Sequence, residues 1–102
     1  MKGVSSLENL IDDIEENIQN IFLIGINTAD NRNIEELTAL SGVSKEFGLD
    51  FAAENLQLLA EELGKLKRNF EWDKSISVKT ICRLIEYIEL VKAQLFQSSE
   101  EE

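Results

Sequence analysis

The chain has 102 residues, of which 10 are basic and 20 acidic, so its formal net charge is −10. This length suits a single domain over residues 1–102 with one modest core, and general binding to nucleic acid is disfavoured because phosphates would repel the chain. Histidine is absent and Cys82 is the one cysteine, which excludes an intrachain disulfide and any histidine–cysteine metal site within one chain. The N-terminus lacks a signal-peptide pattern and no apolar run is long enough to cross a bilayer, so we expect a cytoplasmic protein with no membrane partner.

The first predicted helix covers residues 6–25. Ser5 and Glu8 match a capping box at its start, and Gly25 followed by an apolar residue matches a helix stop. Its apolar stripe repeats every three or four residues, with Leu10 and Phe22 widening it: Leu7, Ile11, Ile14, Ile18 and Ile21. The opposite face is acidic: Glu8, Asp12, Asp13, Glu15 and Glu16. A solvated surface is the ordinary interpretation, and a contact for a basic partner is the alternative.

The second and third predicted helices cover residues 34–47 and 51–70. The second has a shorter apolar stripe: Ile34, Leu37, Leu40, Val43 and Phe47. Asn33 and Glu36 indicate a second capping box, and Gly48 followed by Leu49 repeats the stop seen at Gly25. Asp50 is the expected N-cap of the third helix. The third helix has the clearest apolar seam: Leu49, Ala52, Leu56, Leu59, Leu63, Leu66 and Phe70. A kinked continuous helix through Gly48 is the alternative.

The fourth predicted helix covers residues 77–96 and is capped by Ser75 or Ser77. Its stripe is Val78, Ile81, Leu84, Ile85, Ile88, Val91 and Leu95. At the stripe's edge, Cys82 is expected to be a small buried residue, with a redox-sensing thiol as the alternative. Phe70 and Trp72, before the helix, either cover the end of the core or anchor a partner. The acidic end, residues 97–102, is expected to fray.

Four helices with short connections predict an all-α fold, an antiparallel up-and-down bundle of about four helices. Basic residues concentrate in one stretch: Lys65, Lys67, Arg68, Lys74, Lys79 and Arg83. In such a bundle they gather at one end and helix one's acids toward the other, a charge dipole that could orient association. Alternatively, these bases only neutralise neighbouring acids.

Catalytic chemistry is not indicated. Nucleophile activation by histidine is excluded, and the five glycines are too far apart for a nucleotide-binding loop. Glu62 and the other carboxylates are expected outside the apolar stripes, so no buried general acid or base is indicated, and Glu61 is expected to pair with Lys65. We therefore expect no enzyme activity, no cofactor and no bound metal.

A second apolar seam points instead to a binding surface. Positions 51, 55, 58 and 62 line one side of the third helix, and positions 83, 87, 90 and 94 one side of the fourth. We expect a protein–protein interaction module, self-associating or a small subunit or adaptor of a larger assembly, whose contact residues are Phe51, Leu58, Arg83, Tyr87 and Leu90. The alternative for the seam is that both helices are central and touch neighbours on two sides. The alternative function is an acidic inhibitor, of the immunity, antitoxin or nucleic-acid-mimic type, acting through the first helix's carboxylates.

Overall fold

The computed structural model describes the backbone of residues 2–100 and the side chains of residues 7–95. It contains four helices: α1 (Lys2–Ile24), α2 (Asn31–Glu46), α3 (Asp50–Arg68) and α4 (Ser75–Glu100). A short 3₁₀ turn, Ile26–Thr28, joins α1 to α2, and the described residues contain no strand. The prediction of an all-α bundle is confirmed. Of the expected acidic tail, residues 97–100 extend α4, and residues 101 and 102 lie outside the described part of the chain.

Helix starts differ from the predicted ones. α1 begins at Lys2, so Ser5 lies inside the helix instead of capping it. The N-cap of α2 is Asp30: its Oδ1 accepts from the Asn33 N–H, and Asn33 Oδ1 accepts from the Asp30 N–H, both at 3.0 Å. This is a reciprocal capping box three residues earlier than predicted, with Asn33 at its inner position.

Replacing Asp30 with alanine should lower the free energy of unfolding by about 1 kcal/mol, because an orphan backbone N–H loses its acceptor. Asp30→Asn is the matched control, since asparagine caps helices about as well as aspartate does. Urea unfolding measures both variants. An equal loss in both would contradict the capping role.

The starts of α3 and α4 also shift. Leu49 is the N-cap of α3 without a side-chain bond, so Asp50 is the first helical residue and not the cap. At α4, Asp73 Oδ1 accepts from the Ser75 N–H at 2.9 Å and from its hydroxyl at 2.7 Å. The Ser75 N–H, followed by the hydroxyl, holds the pKa of Asp73 below its ordinary value. Ser77 lies inside α4 and is buried.

A tight turn separates α2 from α3. Gly48 has a φ of +79°, a conformation that glycine adopts without strain. Its N–H donates to the Lys45 carbonyl at 3.0 Å, and the Leu49 N–H donates to the Ser44 carbonyl at 2.9 Å. This C-terminal stop was predicted, and the alternative of one continuous kinked helix is wrong.

The core follows the predicted stripes most closely in α1 and α3. Each helix packs on the next along the chain, most closely α2 on α3, and α4 also packs on α1, as an up-and-down bundle requires. The molecule measures 51 × 20 × 20 Å. All four helices contribute large buried side chains: Ile11, Ile14, Ile18, Ile21, Leu37, Leu56, Leu59, Leu63, Leu84 and Ile88.

Several stripe residues of α2 and α4 lie outside the core. Leu37, Ser41 and Ser44 form the buried line of α2, and the Ser41 hydroxyl donates to the Ala53 carbonyl of α3 at 2.7 Å. Small serines let α2 approach α3 closely, which displaces the predicted Val43 and Phe47 to the surface. On α4 the buried line is Ser77, Ile81, Leu84 and Ile88, with Thr80 beside it. Exposed residues of the predicted stripes also include Phe22, Phe70, Val78 and Ile85.

Cys82 is exposed, so the expectation of a buried thiol is wrong. It lies one position beyond the narrow buried line of α4, where the helix has already turned its surface to solvent. None of the described helices carries an apolar stretch sufficient to span a bilayer.

Candidate functional site

A shallow apolar groove opens between α3 and α4. The rings of Phe51, in the first turn of α3, and Tyr87, in the middle of α4, stack with centroids 5.1 Å apart and planes at 30°. Leu90 lies one turn after Tyr87 and is 66% exposed. The groove has a volume of about 230 Å³ and is lined by Phe51, Arg83, Glu86, Tyr87 and Leu90. We call it the α3–α4 groove.

Helix spacing explains this arrangement. Arg83, Tyr87 and Leu90 follow one another at four and three residues, so they share one side of α4. Partial burial raises the pKa of the Tyr87 phenol above its ordinary value, so the hydroxyl keeps its proton at neutral pH and can donate a hydrogen bond at the groove's edge. A partner would therefore meet aromatic and aliphatic carbon beside one donor, one cation and one carboxylate.

The second apolar seam of α3, at positions 51, 55, 58 and 62, is partly packed within the bundle and partly open to solvent. Asn55 and Glu62, the seam's polar positions, are buried, with exposed fractions of 8% and 2%, and Phe51 stacks on α4. The alternative of a helix with neighbours on two sides therefore accounts for part of the seam. Phe51 remains 45% exposed, so a binding surface is left open beside the packed part.

Leu58 does not line the α3–α4 groove with the other four predicted contact residues. It is half-buried and borders a wider polar groove between α2 and α3, whose lining includes Lys45, Glu54 and Gln57. Leu58 lies about two helical turns along α3 from Phe51, at a level where the open groove beside α3 is the one toward α2. Whether Phe51, Arg83, Tyr87 and Leu90 contact a partner remains a prediction.

The acidic face of α1 is partly engaged within the bundle. Lys92 of α4 reaches Asp12 Oδ1 at 3.5 Å and also hydrogen-bonds Glu15. The Glu15 hydrogen bond holds the pKa of the Lys92 ammonium above its ordinary value. Glu8, Asp13 and Glu16 are exposed. Two of the five predicted contact carboxylates therefore help to hold α4 against α1.

Glu62 is a buried carboxylate whose burial the helical pattern did not predict. Glu62 Oε1 accepts from Trp72 Nε1 at 2.8 Å, and its Oε2 pairs with Lys65 Nζ at 3.2 Å. Lys65 Nζ also lies 5.0 Å from the centroid of the Trp72 ring, within cation–π range. Lys65 thus pairs with Glu62 and not, as predicted, with Glu61, whose carboxylate accepts from Gln57. We call Glu62, Lys65 and Trp72 the loop clamp.

The loop clamp separates the two aromatic residues of the α3–α4 loop. Trp72 folds back onto α3 and is half-buried, whereas Phe70 is 82% exposed. Phe70 therefore does not cover the core end as expected, and the contacts of Trp72 are with Glu62 and Lys65 of α3. The position of Glu62 on the second seam was the one available signal, since helix spacing does not show where a loop side chain returns.

Across the side chains that the structure describes, no group of three or more acidic or cysteine residues is arranged to hold a metal ion. Comparison with family models, with curated proteins and with solved structures finds no match. Fold and site together define a four-helix bundle with an open apolar groove. The function is therefore argued from this groove's own chemistry.

Proposed function

We propose that this protein is a non-enzymatic, cytoplasmic protein–protein interaction module that binds through the α3–α4 groove. It acts as a self-associating unit or as a small subunit or adaptor of a larger assembly. The observation that supports this most is the exposed apolar surface around the Phe51–Tyr87 stack, where Leu90 is 66% exposed and projects beside an open groove.

The groove's composition suits a protein partner. Tyrosine and arginine are enriched among residues that dominate binding energy, and Tyr87 and Arg83 both line the groove. Exposed apolar carbon gathered on one surface is typical of interaction sites. Burying the Leu90 side chain against a partner would contribute about 1.5 kcal/mol. Glu86 and Arg83 then select the partner's charges at the rim.

The acidic-inhibitor function has less support, because Lys92 of α4 already engages Asp12 and Glu15. Among the side chains of residues 7–95, the α3–α4 groove has no comparable internal partner beyond the Phe51–Tyr87 stack that forms its floor.

Replacing both Tyr87 and Leu90 with alanine should weaken partner binding by about 2 kcal/mol or more, because the anchor surface is removed. The measurement is affinity capture from the cells that produce the protein, with immobilised wild type and variant compared by quantitative mass spectrometry. Val43→Ala is the matched control: Val43 is an exposed residue of α2 outside the groove. The proposal predicts partners retained by wild type and control but lost by the double variant. Equal retention by all three, with helix content unchanged, would contradict it.

A further inference from the structure

The end of the bundle opposite the groove presents projecting apolar side chains. We call it the loop end: the last turn of α1 together with residues 65–79, which comprise the last turn of α3, the connecting loop and the start of α4. Phe70 is 82% exposed, Leu23 81% and Phe22 69%, the three highest values among the large apolar side chains that the structure describes. The loop clamp holds Trp72 down, so Phe70 projects from a fixed loop.

The loop end is also the basic part of an acidic chain. Residues 65–79 contain five bases, including Arg68 and Lys74 on either side of Phe70, and two acids, Glu71 and Asp73, a net charge of +3. The whole chain carries −10, so the remaining residues carry −10 − 3 = −13. An acidic surface is the electrostatic complement of this end.

The α3–α4 groove has the complementary shape and lies on an otherwise acidic part of the molecule. It is concave where the loop end projects, and its lining carries one carboxylate, Glu86, and one cation, Arg83. Phe51 lies at the start of α3 and Arg68 at its end, about 26 Å apart along the helix. The loop end therefore cannot fill the groove of its own molecule.

We propose that the loop end of one copy docks into the α3–α4 groove of a second copy, with Phe70 against the Phe51–Tyr87 stack and Leu90. Lys74 and Arg68 then lie near the partner copy's acidic residues. This inference rests on the proposed function, because it names the occupant of the same groove. The groove's volume of about 230 Å³ holds several waters, at about 30 Å³ each, which an apolar side chain displaces.

The charges disfavour a symmetric contact between two loop ends, since the net positive charge of one copy would meet that of the other. A head-to-tail contact instead brings unlike surfaces together and leaves one free loop end and one free groove on every pair of copies. Such contacts add further copies as concentration rises, unless a ring closes.

The test uses two variants that each lose one half of the contact. Phe70→Ser removes the projecting ring, and Leu90→Arg places a cation beside the groove that repels the basic loop end; both side chains are largely exposed, so the fold should persist. Light scattering after size exclusion measures the mass of wild type, each variant and an equimolar mixture. The control is Val43→Ser, an exposed position outside both surfaces.

Wild type and control should exceed the monomer mass of 11.6 kDa increasingly with concentration. Each variant alone should associate about tenfold or more weakly. The mixture should form pairs that stop at two copies, because the intact groove of Phe70→Ser accepts the intact loop end of Leu90→Arg. A mixture no heavier than the variants alone overturns the proposal. So does a wild type that stays monomeric at every concentration, an outcome that leaves the groove open to a different protein and the proposed function untouched.

Discussion

Replacing Leu56 with alanine should lower the free energy of unfolding by about 3 kcal/mol. Leu56 lies in the middle of α3, its side chain is fully buried, and it belongs to the cluster formed by all four helices. Alanine would remove buried methyl groups and leave a cavity that the surrounding helices fill only partly. Domains of this size are stable by about 5–15 kcal/mol, so the loss would be a large fraction of the total.

The measurement is urea unfolding followed by far-ultraviolet circular dichroism, with the denaturant slope compared between variants. Leu90→Ala is the matched control because it deletes the same atoms from a side chain that is 66% exposed. We expect the control to change stability by less than about 0.5 kcal/mol. A comparable loss of stability for both variants would show that the side of α3 that carries Leu56 does not lie in the core.

The second large effect concerns the loop clamp. Glu62→Ala should lower the free energy of unfolding by about 2–3 kcal/mol, because Trp72 Nε1 and Lys65 Nζ lose a buried charged acceptor. Trp72→Phe should cost about 1.5 kcal/mol, since it keeps most of the ring but removes the donor. The two losses should not add, because both variants break the same hydrogen bond.

Fluorescence gives an independent measurement of the loop clamp. Trp72 is the one tryptophan of the chain, so its emission reports on this loop alone. Glu62→Ala should shift the emission to longer wavelength as the indole becomes more exposed to water. The control is Glu61→Ala, at an exposed position whose carboxylate contacts Gln57. Unchanged emission in the Glu62 variant would mean that Trp72 is held by other contacts.

The helices could be predicted because their buried residues recur at helical spacing. Ile14 and Ile18 in α1, and Leu56 and Leu63 in α3, lie in the core as their spacing indicates. The helix boundaries were harder to predict from the sequence, because several polar residues near each end can cap a helix. Asp30 and Asn33 are both good capping residues, and only the geometry shows that Asp30 lies at the N-cap.

Burial was mispredicted where size mattered more than hydrophobicity. Ser41 and Ser44 are buried while Val43 and Phe47 are exposed, because the close contact between α2 and α3 selects small side chains over larger apolar neighbours. The hydrophobic pattern marks one helix's apolar side but not how near the next helix lies. Cys82 became exposed for the related reason that the buried line of α4 is narrower than its apolar stripe.

The candidate site was predicted in part. Spacing placed Tyr87 and Leu90 on one side of α4, and the structure brings Phe51, also a predicted contact residue, onto Tyr87 through the aromatic stack. Leu58 was grouped with them because a seam drawn on one helix carries no information about which groove it borders. The loop clamp and the projecting Phe70 depend on the path of a loop, and a loop's path is set by tertiary contacts that periodicity does not encode.

Site-specific photo-crosslinking tests the central claim, binding through the α3–α4 groove, most directly. A photoreactive phenylalanine analogue replaces Leu90 at the groove's edge or, as control, Ala39, an exposed residue of α2. Illumination in the cells that produce the protein should yield discrete adducts of higher mass from position 90 and none of them from position 39. Absence of adducts from position 90, or the same adducts from both positions, would contradict the account.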